Sequence, residues 1–350
     1  LGQAPTGFFY FGVIWLHMAV HGMYCGNMTN LLDDSRAGPD EPEIAAFMAA
    51  GAGFYPDNAT RLTLDEQRKC YDRLCAHFHC GRPGGMTVAD MSCPGQAGDV
   101  RMRQFVPKGF GSPGPAMIYM HGGGYILGSL DSHDDICCGI AEDAGVMVIA
   151  VDYRLAPEHV FPAAFDDCAD ATNWVFANAG ALGIDAECIV VGGDSAGGNL
   201  AAAVCLSRRD KGEPMPSGQV LIYPALGGDK TKGSYVSRRH APGLTTADME
   251  YYDLAYTGPD GDAAHDAKYR APLLEANFSG LPQAFLVACE WDPLRDDSLD
   301  YARALKSAGV AAQVRHEPEL VHACLRARHM SPAAKAMFAA IAQQVSEFAA

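Results

Sequence analysis

Ser195 lies in Ile189-Val-Val-Gly-Gly-Asp-Ser195-Ala-Gly-Gly-Asn-Leu-Ala-Ala-Ala-Val204, where a short apolar run enters a glycine-flanked serine and a helix-forming run leaves it. A serine hydroxyl is a weak nucleophile until a neighbouring base takes its proton, so the chemistry such a residue offers is covalent attack on a carbonyl. Gly193 and Gly197, two residues before and two after, suit a turn too sharp for side chains, the G-x-S-x-G elbow. The helix that follows sets its N-terminal dipole beside any negative charge formed there. A glycine-rich strand-to-helix turn also serves phosphate binding, but the spacing fits neither G-x-G-x-x-G nor G-x-x-x-x-G-K-[ST].

Acyl transfer needs donors for the carbonyl oxygen as it gains charge. The N–H of Ala196, next after the nucleophile, is one. His121-Gly122-Gly123-Gly124 directly follows the apolar run Ala116–Met120 and supplies the others. Glycines there let the backbone approach a substrate with no Cβ in the way. Gly123 and Gly124 are read as donors, Gly122 as the shaper of the turn, and His121 as an anchor of the loop.

After a nucleophile on such an elbow come the acid and then the histidine. The apolar run Ala284–Ala288 ends in Cys289-Glu290-Trp291-Asp292-Pro293-Leu294-Arg295-Asp296. Asp292 precedes a proline, which holds it extended and off the next helix. Glu290 is the rival, and Asp296 and Asp297 read as acids of a helix N-terminus. Of the histidines that follow, His316 sits at the end of a strand expected over Val310–Arg315, and His329 beside a helix cap. His322 stands on the loop Glu317–Val321 leads into, where a triad needs its base.

These residues need a scaffold, and the pattern of the chain describes one. Ala116–Met120, Val146–Val151, Ile189–Val191, Val220–Tyr223 and Ala284–Ala288 are continuously apolar, as strands covered on both faces are. Helical stretches alternate with them at Ala163–Asn178, Ala196–Arg209 and Ser298–Ala308. A last helix has Ser331 as cap, Pro332 in its first turn and Met337, Ile341, Val345 and Phe348 on one face. This rhythm predicts an α/β fold with a mainly parallel sheet. Residues 1–84, with helices expected at Glu43–Ala50 and Leu64–Phe78, and residues 225–268, with one at Thr246–Tyr256, interrupt it. They are expected to form a helical cap, leaving 85–224 and 269–350 as the catalytic domain.

The 350 residues carry 42 acidic against 26 basic side chains, a formal charge of −16. Such a surface repels phosphate backbones and anionic membranes, which disfavours nucleic-acid and membrane roles, whereas a small neutral ester meets no such barrier. The 12 cysteines are scattered and several sit in apolar runs, which suits buried thiols in a reducing cytoplasm. Cys70, Cys75, His77, His79 and Cys80 crowd one stretch, but their spacing matches no familiar zinc knuckle, so no metal is assigned. Phe8–Cys25 is apolar over about the length of a membrane span. It lacks a basic leader and a small-residue cleavage site, and is expected to pack on the protein itself or on a second subunit of a homodimer, rather than to be a foreign leader or a membrane anchor.

Taken in order, His121-Gly-Gly-Gly124, Asp152-Tyr-Arg-Leu-Ala-Pro-Glu-His159 with Phe161-Pro-Ala-Ala164, Gly193-Asp-Ser-Ala-Gly-Gly198 and Asp292-Pro-Leu-Arg-Asp296 resemble the hormone-sensitive-lipase-like family of bacterial esterases, in its GDSAG subgroup, from about residue 40 to the C-terminus. The resemblance implies an α/β-hydrolase fold with an eight-stranded sheet and a helical cap. It implies a carboxylesterase of short- to medium-acyl esters that needs no cofactor, with Ser195, Asp292 and His322 as the triad. Amide or arylacetamide hydrolysis would use the same machinery; a non-catalytic ligand-binding relative would have lost the histidine, which is present here. Tyr153, Arg154 and Glu158 fall in the family's segment that supports the oxyanion loop. The chain departs from the family at His322-Ala-Cys324, where His-Gly-Phe is usual.

Overall fold

The protein is described here by a computed structural model covering residues 38–56, 62–258 and 267–350. The apolar stretch Phe8–Cys25 lies outside the described residues. Among the described residues, no helix is long and apolar enough to cross a membrane.

Two helices come first. The first, α1 (Pro42–Ala52), opens on a proline and buries Ile44, Phe47, Met48 and Gly51 on one face. In α2 (Leu64–His77), Thr63 Oγ1 accepts from the N–H of Glu66, whose carboxylate accepts in return from the N–H of Thr63. This helix buries Cys70, Tyr71, Leu74 and Cys75.

The sheet has eight strands: β1 (Thr87–Gly95), β2 (Gly98–Val106), β3 (Gly114–Met120), β4 (Met147–Asp152), β5 (Ile184–Asp194), β6 (Gly218–Ile222), β7 (Ala284–Trp291) and β8 (Ala312–Val321). Their spatial order is β1-β2-β4-β3-β5-β6-β7-β8, antiparallel at β1–β2–β4 and parallel from there on. The central strands β3, β4, β6 and β7, and β5 from Ile189 onward, are almost wholly buried, as their unbroken apolar runs require. Helices α3 (Asp134–Ala144), α4 (Ala163–Ala177), α5 (Ala196–Lys211), α6 (Thr246–Thr257), α7 (Arg295–Ser307) and α8 (Pro332–Phe348) complete the main elements. The pair α3 and α8 packs on one side of the sheet, and α4, α5 and α7 on the other. Ser331 caps α8 by accepting from Ala334 N, and Met337, Ile341, Val345 and Phe348 are buried, as the spacing predicts.

Three features differ from the sequence expectation. The hairpin β1–β2 was not assigned, because β1 is polar, contains Pro94, and lies at the sheet edge where alternation is weak. The last strand does not end at Arg315 but continues through Pro318 to Val321. As the opposite edge strand it has no outer neighbour to lose a hydrogen bond, and its pairing with β7 shifts register after Cys289. His316 therefore lies within β8, opposite Ala288. Asp297 stands in the first turn of α7, as expected, but turns inward and is 1 % exposed.

Candidate active site

Ser195 occupies the turn between β5 and α5 with φ 55° and ψ −118°. This strained conformation is held from both sides: its N–H donates to Ile222 O at 2.9 Å, and its carbonyl accepts from Ala225 N at 3.2 Å. A Cβ on Gly193 would stand 2.2 Å from Met120 O, and one on Gly197 only 1.9 Å from the same oxygen. The flanking glycines are thus required by the close crossing of β3 beneath the turn.

His322 and Asp292, the candidate base and acid, reach this serine from loops beyond β8 and β7. His322 Nε2 lies 2.9 Å from Ser195 Oγ, and its Nδ1 lies 2.7 Å from Asp292 Oδ2. A carboxylate only accepts, so Nδ1 carries the proton and Nε2 is left free to accept from the serine hydroxyl. Asp292 is fully buried, and its other oxygen accepts from Leu294 N at 2.8 Å. Glu290, the rival acid, faces elsewhere: it binds Arg295 Nη1 at 2.6 Å and His316 Nε2 at 2.7 Å. His329 stands apart too, 3.7 Å from Asp135. Ala323, where the related pattern has glycine, takes a left-handed conformation with φ 61°, at a cost of roughly 1 kcal/mol for a residue with a Cβ.

The glycine loop after β3 borders the same space: Gly123, Gly124, Ser195, Ala196 and His322 line one cavity of about 380 Å³. Gly123 has φ 127°, open only to glycine. His121 is buried and its pKa is pushed down to about 3, by burial first and then by His133. It stays neutral, and its Nδ1–H donates to Gly122 O at 2.9 Å. Tyr153 stacks on its ring with centroids 4.2 Å apart and donates to His121 O at 2.7 Å. Of the neighbouring pair, Arg154 instead binds Asp167 on α4, and Glu158 binds Arg68 on α2. Arg68 Nε also donates to Ile126 O at 2.9 Å, so Glu158 acts on the loop through that guanidinium.

Two residues of the site escaped sequence reasoning. Asp194, beside the nucleophile, accepts from Gly122 N at 2.9 Å and from Tyr119 Oη at 2.7 Å, tying the elbow to the glycine loop. The signal was present, since an acid inside a buried turn must find donors. Burial opposes its ionisation, but His133, Tyr119 and Arg326 hold its pKa well below the ordinary carboxylate value. Arg326 is buried two residues past Cys324 and donates to Ser132 O at 2.7 Å and to Tyr71 Oη on α2 at 3.2 Å. Nothing local in Leu-Arg-Ala-Arg marks it, because its partners are some 190 and 255 residues away in the chain.

Asp297 supports the floor of the cavity. Its Oδ2 accepts from Leu226 N at 2.7 Å and Tyr235 Oη at 3.1 Å. Burial, as the main cause, pushes its pKa from 3.8 up to about 7. Between those values the folded protein holds a proton that the unfolded chain releases, so this residue's stabilising contribution is full below pH 3.8 and is lost as pH rises through 7. Asp297→Asn cannot ionise. Thermal melts from pH 4 to 8 are expected to show the variant gaining on the wild type as pH rises, with the difference levelling above 7; parallel curves would contradict it.

The sequence cluster around α2 does not converge. Cys70 and Cys75 turn into the core, His77 meets Phe54 at a tilt and Phe78 edge-on, His79 binds Asp134 at 3.0 Å and Cys80 is exposed. Among the described residues, no group of three or more His, Cys, Asp or Glu is placed to hold a metal ion.

With this geometry in hand, the chain can be compared with known proteins. Residues 117–326 match the family described as alpha/beta hydrolase fold. Carboxylic ester hydrolase LipN of Mycobacterium tuberculosis is 39% identical over 250 residues, covering 68% of this chain and 64% of that protein. Ethyl acetate hydrolase of Pseudomonas putida is 42% identical over 297 residues, covering 81% and 92%. Among solved structures, an ester hydrolase from the metagenome of Lake Arreo, in complex with a derivative of bipyridine phosphonate, superposes with a TM-score of 0.80 at 34% identity, covering 87% of this chain and 98% of that one. An esterase of the archaeon Pyrobaculum calidifontis gives 0.77 at 35%, covering 83% and 96%. Matched by family over residues 117–326, and by sequence and structure over most of its length, the chain belongs to the alpha/beta-hydrolase family, in its hormone-sensitive-lipase-like branch of esterases.

Proposed function

We propose that the protein hydrolyses short- to medium-acyl carboxylic esters through an acyl-enzyme on Ser195. The reading rests above all on the unbroken relay from Asp292 Oδ2 through His322 to Ser195 Oγ, at 2.7 and 2.9 Å. His322 Nε2 takes the hydroxyl proton as Oγ bonds to the ester carbonyl carbon. The tetrahedral oxyanion is stabilised by the N–H groups of Gly123, Gly124 and Ala196. Collapse expels the alcohol, which leaves with the proton held on His322. Water then enters by the same route, giving its proton to His322, and Ser195 departs with it as the acid is released. Asp292 remains ionised throughout and keeps the imidazole in its working tautomer.

The same reading assigns residues 1–84 and 225–268 as a cap that bounds the substrate space, with 85–224 and 269–350 as the catalytic domain. Phe47, Tyr71 and Leu74 from the first part and Leu244, Met249 and Tyr252 from the second line the cavity beside Ser195, which supports that division. A cavity of this size and apolar lining suits short and medium acyl chains.

The test is a series of p-nitrophenyl esters from acetate to palmitate, together with a p-nitrophenyl alkylphosphonate. Turnover is expected to peak at short to medium chains, and mass spectrometry should find one phosphonyl group on the peptide containing Ser195. A folded protein that neither turns over any member nor takes the label would overturn the reading.

A further inference from the structure

Apolar and charged side chains both line the cavity, and the chemistry suggests which part of an ester each group would take. The leaving oxygen must come within reach of His322 Nε2, so the alcohol lies toward Phe47, Leu244 and Ala323 beside the histidine loop. The acyl substituent then points the other way, along Ala225, Gly227, Gly228 and Ala271. That side is built against the nucleophile and its helix: Ala225 N donates to Ser195 O, and Asn199 Nδ2 on α5 donates to Ala225 O at 2.6 Å and to Arg270 O at 2.9 Å.

The acyl side does not end in apolar residues. Lys230, Asp253 and Arg270 all line it. Lys230 Nζ lies 2.9 Å from Asp253 Oδ2, and Arg270 Nη1 lies 3.2 Å from Asp253 Oδ1. Among the described residues that line the cavity, these two cations share a single carboxylate. Arg270 is engaged by Asp253 through Nη1 alone, and its Nε is buried without a hydrogen-bond partner. A guanidinium offers five N–H donors in a planar fork matched to carboxylates, and neither cation can accept a hydrogen bond. A purely apolar acyl chain would leave this part of the lining unmatched.

We infer that Lys230 and Arg270 form a subsite for an acyl group that itself ends in a carboxylate, so that half-esters of short dicarboxylic acids are preferred over neutral esters of equal length. The inference rests on the ester-hydrolysis reading and on its assignment of the alcohol to the His322 side. The formal charge of −16 opposes the approach of an anion. That repulsion is screened beyond about 8 Å at physiological salt, whereas the charges of Lys230 and Arg270 act at contact distance. A bound carboxylate would meet Lys230 and Arg270, which Asp253, on α6, holds together as their shared counter-charge.

The experiment measures kcat/KM by pH-stat for monoethyl glutarate and for ethyl hexanoate, a neutral ester of similar length, in the wild type, Lys230→Gln and Arg270→Gln. The ratio of half-ester to neutral ester is expected to exceed unity in the wild type. It should fall by about 10- to 100-fold in Arg270→Gln and by about 10-fold in Lys230→Gln, the range for losing one charge-assisted hydrogen bond. Should Arg270→Gln fail to fold, Lys230→Gln decides alone, since its side chain is partly exposed. Variants that turn over ethyl hexanoate with an unchanged ratio overturn the subsite and leave the esterase reading standing. A folded wild type that hydrolyses neither compound, nor any other ester, overturns the reading beneath it.

Discussion

Replacing Ser195 by alanine is expected to lower kcat on a short-chain ester by about a million-fold while leaving the melting temperature within a few degrees of the wild type. The size follows from the arrangement. In the proposed mechanism Oγ is the atom that bonds to the carbonyl, and no other hydroxyl lies within hydrogen-bond distance of His322 Nε2 among the described contacts. Without Oγ, the donors of Gly123, Gly124 and Ala196 still polarise a bound carbonyl, so a small residue of catalysis over water should survive. Stability changes little because the serine side chain bonds only to His322, while the strained turn is held by Ile222 O and Ala225 N through the backbone. The check is a steady-state assay beside a thermal melt. Loss of less than about tenfold in a folded variant would remove Ser195 from the mechanism.

Asp292→Asn is expected to cost about ten-thousand-fold in kcat with the fold intact. Its two oxygens have different duties: Oδ1 accepts from Leu294 N and Oδ2 from His322 Nδ1. The main-chain N–H of Leu294 is fixed and needs an acceptor, so the amide oxygen of asparagine must stay on that side. Its NH₂ then faces Nδ1, which must become the acceptor, and the ring proton moves to Nε2. A donor at Nε2 cannot take the proton of Ser195. Glu290→Gln is the control, since Glu290 meets Arg295 and His316 at the sheet edge rather than His322. It should change kcat by no more than a few-fold. Equal losses in the two variants would mean that the acid had been misassigned.

Both expectations draw on residues that stand out in the chain before any folding is considered. The elbow is legible because its steric demand is written as glycine at fixed spacing: Met120 O, brought beneath the turn by β3, excludes Cβ atoms at Gly193 and Gly197. The glycine loop is legible for the same reason, through the positive φ of Gly123. Central strands announce themselves because burial on both faces demands unbroken apolar runs. Asp292 and His322 were reached by order and position along the chain, and the fold brings them within hydrogen-bond distance.

What escaped the sequence depends on partners far away in it. The last strand runs through Pro318 because it has an edge position, and edge or centre is decided only when all eight strands have paired. Asp297 looked like a helix N-terminal acid, yet it faces inward because Leu226 N and Tyr235 Oη arrive there from a segment some 60 to 70 residues earlier. Arg326 becomes part of the site only when Tyr71 and Ser132 surround it. Lys230, Asp253 and Arg270 are unremarkable as single charges, and their convergence on one cavity wall is a property of the assembled molecule. The sequence by itself therefore determined the fold class and marked the candidate reacting groups, whose steric demands are written as glycines and as order along the chain. The tertiary structure alone decided which charges and carboxyls surround them, because burial, pairing and charge sharing have no meaning until distant segments meet.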